Sequence, residues 1–248
     1  MAEWCVPAST SEREHTYSPL WYRTFLQDVD QVITDREVAF VQRRMSPASH
    51  PRVLDLCCGP GRHLGPLAAA GYEVTGLDID AAPLADPRAR AHDRVRGDMR
   101  CLPFRTGVLD GVMCIWQSFG HFDDTTNRSV LAEVARVLRP GGILILDVYH
   151  RLYHERPRGD RTLEHNGLRI IERRTMRGDR LHVWLRYEDA ADGRHVGSDE
   201  FEWRLYTPRE LTAEAHRVGL IEKLRCSGFD EESMAGADEP RMQLVFSR

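Results

Sequence analysis

The chain is 248 residues long, 42% hydrophobic and 29% charged, with a formal net charge of -4. That length holds one large α/β domain, or one domain with an insertion, and the balance excludes a disordered or fibrous chain. Lys and Arg together number 34 against 38 acidic residues, with Lys223 the sole lysine, so the basic surface that tight nucleic-acid binding needs is missing.

Apolar runs such as 142–148 are too short to span a bilayer, and no basic-then-apolar leader precedes residues 1–7, which predicts a cytoplasmic protein with no membrane partner. The six cysteines (Cys5, Cys57, Cys58, Cys101, Cys114, Cys226) include no C-x-x-C pair and predict reduced, mostly packed thiols and no metal site.

In chain order, residues 12–31 carry Tyr17, Trp21, Tyr22 and Phe25 without strand alternation and read as part of an N-terminal helical cap over 1–46. Thr34-Asp35-Arg36-Glu37 has the form of a capping box ahead of Val38, Val41 and Met45 at helical spacing. Residues 52–58 read as a buried strand, 62–70 as a helix closed by Gly71, 72–78 as a second strand and 94–97 as the end of a third. This alternation implies parallel pairing with right-handed crossovers. A fourth strand follows at 111–116. Val130, Leu131, Val134, Val137 and Leu138 form an apolar helical stripe over 127–139, stopped by Pro140-Gly141-Gly142, and 143–149 is a fifth strand. After His150 the segments 163–174, 180–189 and 195–206 alternate polar with apolar residues, joined by Arg-Gly-Asp and Asp-Gly turns. They predict an antiparallel sheet over 151–206, inserted into a core of 47–150 and 207–248. Thr207-Pro208-Arg209-Glu210 is a second capping box whose helix runs to Gly219, and 220–229 and 241–247 supply the last strands.

The first strand runs directly into Gly59-Pro60-Gly61-Arg62-His63, a glycine turn opening a helix, where backbone N–H groups and the helix dipole face a ligand. Beyond it the second strand ends in Asp78, placed where an acidic side chain accepts from both hydroxyls of a ribose. Together the two point to an adenosine ligand. A nicotinamide fold shares both devices, but its G-x-G-x-x-G pattern needs a glycine where Leu64 stands, and Arg62 and His63 would crowd a pyrophosphate.

The run Val53-Leu54-Asp55-Leu56-Cys57-Cys58-Gly59-Pro60-Gly61 resembles the first motif of class I S-adenosylmethionine-dependent methyltransferases. Gly97-Asp98-Met99, Asp110-Gly111-Val112 and Leu138-Arg139-Pro140-Gly141-Gly142 are similar to later landmarks of that family, in order, across 53–147. The resemblance implies an α/β fold with a Rossmann-like, mostly parallel seven-stranded sheet and an antiparallel edge strand, beside the N-terminal helical cap and the inserted antiparallel β-sheet. It implies S-adenosylmethionine as cofactor, with Gly59 and Gly61 under its aminoacid part, Asp78 on the ribose, Asp98 bonding the adenine amino group and Met99 packing on the ring. Ile79, Trp116 and Tyr22 complete the expected cofactor-binding set.

Downstream, Trp116-Gln117-Ser118-Phe119-Gly120-His121-Phe122 resembles a stretch of glycine N-methyltransferase and of bacterial aminosugar N-methyltransferases, with Gln117 standing where that group often has asparagine or serine. In those enzymes an inserted sheet covers the active site or makes a dimer contact, which leaves a homodimer open here.

Methyl transfer from a sulfonium needs alignment of nucleophile, methyl and sulfur above all, and no metal. An amine or hydroxyl acceptor must still lose a proton, and His121 is the expected general base or acceptor-orienting group, against the plainer reading of a loop histidine bonded to a carbonyl. Asp55 reads as an acid that organises the glycine loop. Tyr17, Trp21 and Tyr22 read as packing aromatics or as a lid over the cofactor, and Arg151, Arg156 and Arg158 as a solvated face or an anchor for an acidic acceptor. The expected activity is methyl transfer to a nitrogen of a small molecule. O-methylation, or a non-methylating cofactor-binding enzyme such as a cyclase, are the alternatives. The acidic balance and the lack of an N-P-P-Y or D-P-P-Y loop after the fourth strand disfavour a nucleic-acid substrate.

Overall fold

A computed structural model describes residues 17–86, 92–157 and 159–248. Cys5, residues 1–16 of the expected cap and Arg158 lie outside the described residues.

The central strands form because they are apolar on both faces. β4 (Leu109–Cys114) is buried at every position, and β1 (Arg52–Leu56) at all but its first. Successive side chains point into two separate layers. Leu54 and Val112 pack with Val130, Leu131 and Val134 of α5 (Asp124–Val137) and with Leu211 of α7 (Pro208–Arg217). Val53 and Met113 pack instead with Phe40 and Val41 of α2 (Gln31–Arg44) and Leu67 of α3 (Leu64–Ala69). Helices on both faces are what a parallel sheet needs to hide such strands from water. β2 (Glu73–Asp78) and β3 (Asp93–Arg96), with the short helix α4 (Ala81–Leu84) between them in the chain, extend the sheet on one side of β1, and β4 and β5 (Leu138–Tyr149) on the other, all in parallel register. β10 (Ile221–Cys226) and β11 (Arg241–Ser247) finish the far edge as an antiparallel pair, giving the order β10-β11-β5-β4-β1-β2-β3. This is the seven-stranded, mostly parallel architecture the motifs implied. Strand order reverses between β1 and β4, and open α/β sheets bind ligands in the crevice above such a switch point.

A second sheet of four antiparallel strands, β6 (Arg161–His165), β7 (Leu168–Arg177), β8 (Arg180–Asp189) and β9 (His195–Arg204), follows the short helix α6 (Arg151–His154). Its buried face, with Ile170, Leu181, Val183, Leu185, Tyr187 and Trp203, takes up Tyr17, Leu20, Trp21 and Phe25. The sticky side of the aromatic N-terminal segment therefore has its target. That segment carries α1 (Pro19–Phe25), capped by Ser18, whose hydroxyl oxygen accepts from the Trp21 N–H. Burying aromatic rings of this size contributes roughly 2–3 kcal/mol each, enough to hold a two-turn helix that would not persist alone.

Several boundaries differ from the sequence reading, each for a local reason. α2 starts at Gln31 and not after Thr34, because Asp30 caps it by accepting from the Val32 N–H at 2.9 Å. Thr34 and Glu37 thus lie inside the helix, with their side chains available to other elements. β4 ends at Cys114, so Trp116 and Gln117 belong to the loop beyond it. β5 starts at Leu138, and the Pro140-Gly141-Gly142 run is carried within the strand, with Gly141 at φ 77°. The segment 163–174 is two strands, because Asn166 and Gly167 take φ of 48° and 75°, the left-handed pair a tight hairpin needs. The capping box at Thr207 is present as read, with Thr207 and Glu210 bonding reciprocally. Among the described residues no helix is long and apolar enough to cross a membrane.

Candidate functional site

The chain leaves β1 through a tight turn. Cys57, Gly59 and Gly61 all have positive φ (64°, 52° and 77°), and the Gly61 N–H closes the turn on the Cys58 carbonyl at 2.9 Å. The Cys58 N–H donates to the Leu77 carbonyl at 3.0 Å, which keeps the turn against the end of β2. The Gly59 N–H then donates to Asp78 Oδ2 at 2.8 Å, while the Asp80 N–H donates to Asp78 Oδ1 at 2.9 Å. Asp78 is buried, and burial raises its pKa despite these two backbone donors. An ionised carboxylate has about four lone-pair sites. Two are occupied here, which leaves two for a ligand.

Gly59 and Asp78 form one wall of a cavity of about 950 Å³ at the switch point. Tyr22 of the cap, Ile79 after β2, Asp98 and Met99 after β3, and Trp116 and His121 after β4 line it as well, so eight of the nine residues expected from sequence meet there. Gly61 does not line it; it shapes the turn behind. Asp98 is engaged by Arg100, which donates from its backbone N–H at 2.8 Å and from Nη2 at 2.7 Å, and the Arg100 guanidinium lies 4.8 Å over the Phe122 ring.

Behind the glycine turn sits a buried polar network that the sequence reading missed. Glu37 of α2 is 1% exposed and accepts from Trp116 Nε1 at 2.7 Å and His63 Nε2 at 2.8 Å, with Arg62 Nη1 2.5 Å away. Burial alone would raise the Glu37 pKa, but the His63 and Arg62 contacts outweigh it and bring it down to about 2. Burial opposes the charge of His63 in turn, yet the nearby Asp55 carboxylate and the bond to Glu37 leave its pKa raised. Asp55 stands 3.6 Å from His63 Nδ1. Arg62 also donates to Thr34 Oγ1 at 2.9 Å and stacks 4.7 Å over Trp116. Glu37 sits three residues after Thr34, a spacing that looked like a cap. The available signal was that a helix already capped by Asp30 leaves such an acid without a local partner.

The loop after β4 is held in a strained shape. Trp116 and Gln117 both have positive φ, 66° and 59°, a conformation that costs a non-glycine residue about 1 kcal/mol or more. Asp147 of β5, fully buried, offsets this by accepting the Trp116 N–H at 2.9 Å through Oδ2, while its own carbonyl accepts the Gln117 N–H at 3.1 Å. Arg241 and Gln243 of β11 fix that carboxylate from the other side. The Gln117 side chain is buried, donating to the Phe119 carbonyl at 2.9 Å and accepting from the Tyr149 N–H. Its departure from asparagine or serine thus serves the loop, and it does not line the cavity. Gly120, at φ 104°, lets the chain touch β9: its carbonyl accepts the Arg204 N–H at 2.7 Å, and a Cβ there would fall 2.5 Å from the Arg204 carbonyl oxygen. This contact sets His121 among Tyr17, Phe122 and Trp203, with ring centroids 6.2–6.3 Å away. Among the described residues no group of three or more His, Cys, Asp or Glu is placed to hold a metal ion.

Residues 53–142 match a family profile described as "Methyltransferase domain", and over that segment the resemblance read from the sequence holds. The O-methyltransferase cnsE of Penicillium expansum is 31% identical over 135 residues, covering 51% of this chain and 48% of the relative. The glycine/sarcosine N-methyltransferase of Halorhodospira halochloris is 30% identical over 154 residues, covering 57% of each. The chain thus spans about half the length of these curated relatives. Among solved structures, the sugar N-methyltransferase of a Streptoalloteichus species superposes with a TM-score of 0.72 at 21% identity, over 100% of this chain and 99% of that one. At that identity the likeness is one of fold.

Proposed function

Starting from the matched methyltransferase domain over residues 53–142, we propose that this protein transfers the methyl group of S-adenosylmethionine to a nitrogen of a small molecule. The observation that carries the reading is the Gly59 N–H seated on Asp78 at the cavity wall, which ties the glycine turn and the β2 acid into one nucleoside-binding surface. The residues present fit the cofactor. Asp78 would hold the ribose diol with the lone-pair sites its backbone bonds leave over. Ile79 and Met99 would flank the adenine, with Asp98 on its amino group and Tyr22 over the glycine turn. Among the described residues Arg62 Nη2 is buried without a hydrogen-bond partner and Asp55 Oδ2 has only His63 Nδ1, at 3.6 Å, and both residues line the cavity. They offer one donor and one acceptor, the pair that the carboxylate and ammonium of an aminoacid moiety require.

When bound, the sulfonium supplies an electrophilic methyl group and a neutral leaving group. This chain's residues then have to align the acceptor and take one proton. His121, set by the Gly120 contact on the loop that also carries Trp116, is the residue we assign to the proton. The cavity volume of about 950 Å³ suits a cofactor with a small acceptor. The likeness of the 116–122 loop to N-methyltransferases, together with the sugar N-methyltransferase fold match, supports nitrogen. The 31% identical O-methyltransferase relative supports oxygen as the second reading.

Calorimetry with S-adenosylhomocysteine tests the cofactor assignment: Asp78→Ala should weaken binding about 100-fold, the loss of two charge-assisted hydrogen bonds. Unchanged affinity, or no binding by the wild type, sinks it. Mass spectrometry of products from paired amine and alcohol acceptors tests the atom methylated, and a methyl found only on oxygen reverses the nitrogen reading.

A further inference from the structure

Asp199 of β9 lines the cavity, and neither the cofactor nor the proton step uses it. Its Oδ2 accepts from the Ser18 hydroxyl at 2.7 Å and from the Tyr187 hydroxyl at 2.9 Å, so the carboxylate is fixed from the cap and from the sheet at once. Both donors are neutral. Among the described residues no Arg, Lys or His is paired with it, and its Oδ1 accepts no hydrogen bond. Asp98, on the same cavity, has Arg100 at 2.7 Å. Beside Asp199, Tyr17 stacks on Trp21 with centroids 4.1 Å apart and stands edge-on to His121 at 6.3 Å. All three rings line the cavity.

A rigid carboxylate with no cation of its own among the described residues, set next to aromatic rings, is complementary to an alkylammonium: the charge meets the carboxylate and the polarised N–CH groups meet the π faces. A hydroxyl acceptor gains neither. We propose that Asp199 binds the methyl acceptor and that the acceptor is an amine, entering as its ammonium ion. This rests on the methyl-transfer reading of the same cavity and makes Asp199 its specificity-determining residue. Ser18 also caps α1, so the cap helix and the ammonium site are set by one side chain.

The test uses two isosteric probes, tert-butylammonium and tert-butanol, titrated by ligand-observed NMR into the full chain saturated with S-adenosylhomocysteine. The wild type should bind the ammonium at least about 10-fold more tightly, with Overhauser contacts from its methyl protons to the Tyr17 and Trp21 rings. Asp199→Asn should bring the two probes to within about twofold while S-adenosylhomocysteine affinity by calorimetry stays unchanged, and Tyr187→Phe, which keeps the carboxylate, should retain the preference. Equal affinities in the wild type, contacts to none of the Tyr17, Trp21 and His121 rings, or an undiminished preference in Asp199→Asn would overturn the proposal alone. Should Asp199→Asn fail to fold, the wild-type preference and its Overhauser contacts still decide. Failure of the wild type to bind S-adenosylhomocysteine would overturn the cofactor reading, and the proposal with it.

Discussion

The two ends of the cavity hold their shape by different physics. At the glycine-turn end, charge does it: Glu37, Arg62, His63 and Asp55 are buried against one another, and the Glu37 carboxylate accepts from the turn before α3 and from the loop after β4. At the aromatic end, packing does it: Tyr17, Trp21, Phe201 and Trp203 lie ring on ring over the antiparallel sheet, with Asp199 held by two neutral hydroxyls. A buried charge network is stiff but fails as a unit when one member is lost. An aromatic cluster loses its contacts one at a time. The first suits a cofactor that never varies, and the second suits a pocket whose occupant does.

The sharpest way to break this contrast is Glu37→Gln. It leaves Arg62 and His63 buried without their anion, and we expect a loss of about 3–5 kcal/mol, seen as a melting temperature lower by roughly 10 °C in calorimetry. S-adenosylhomocysteine binding should weaken with it. A variant that melts within a degree or two of wild type would mean that the network is not what holds the turn.

How legible each end was follows from how its residues are spaced along the chain. The glycine-turn end comes mostly from one stretch, in which Gly59, then Asp78, then Asp98 and Met99 stand at or just beyond the ends of β1, β2 and β3. A strand-end motif is local, so it can be read without knowing the fold. Glu37 could not be read that way, because its partners Arg62, His63 and Trp116 reach it only once α2 has packed across α3 and β1. The aromatic end joins residue 18 to residue 199 and residue 120 to residue 204. No spacing rule connects such positions, and the alternating pattern of β9 gave the strand without the role of Asp199. The hairpin turn at Asn166-Gly167 is a different case: its Asn-Gly signal is local, but it lies inside the polar–apolar alternation of 163–174, which masks the break between two strands.

Two changes to the loop after β4 sharpen the comparison at the aromatic end. His121→Ala should lower kcat about 100-fold, the usual size of a general-base contribution, with S-adenosylhomocysteine affinity unchanged by calorimetry. Full turnover across pH 6–9 would remove His121 from the chemistry. Gly120→Ala should be milder, costing about 1–3 kcal/mol because its φ of 104° and the nearby Arg204 carbonyl admit no Cβ. The measurement is the urea midpoint, and a shift too small to resolve would mean that the loop and β9 separate without cost.

The smallest effect separates the two ends by titration. The glycine-turn end holds a histidine, His63, between the carboxylates of Glu37 and Asp55, and its raised pKa fixes the sign. Below its ordinary value of 6.5 the folded and unfolded chains both carry the proton, and the stabilisation is fully present. As pH rises through the folded value, it is lost. Glu37 acts oppositely: with its pKa lowered from 4.5 to about 2, its contribution is present above 4.5 and lost as pH falls toward 2. Other groups titrate too. His150, its pKa lowered by burial, loses stabilisation as pH drops below 6.5, and Asp78, raised by burial, loses it as pH climbs past 3.8. The informative quantity is therefore the difference in unfolding free energy between wild type and His63→Gln, followed from pH 6 to pH 9. It should shrink steadily with rising pH as His63 loses its proton. A difference constant over that range would mean that His63 holds the turn as a neutral hydrogen-bonding ring, and that the glycine-turn end relies on geometry as much as on charge.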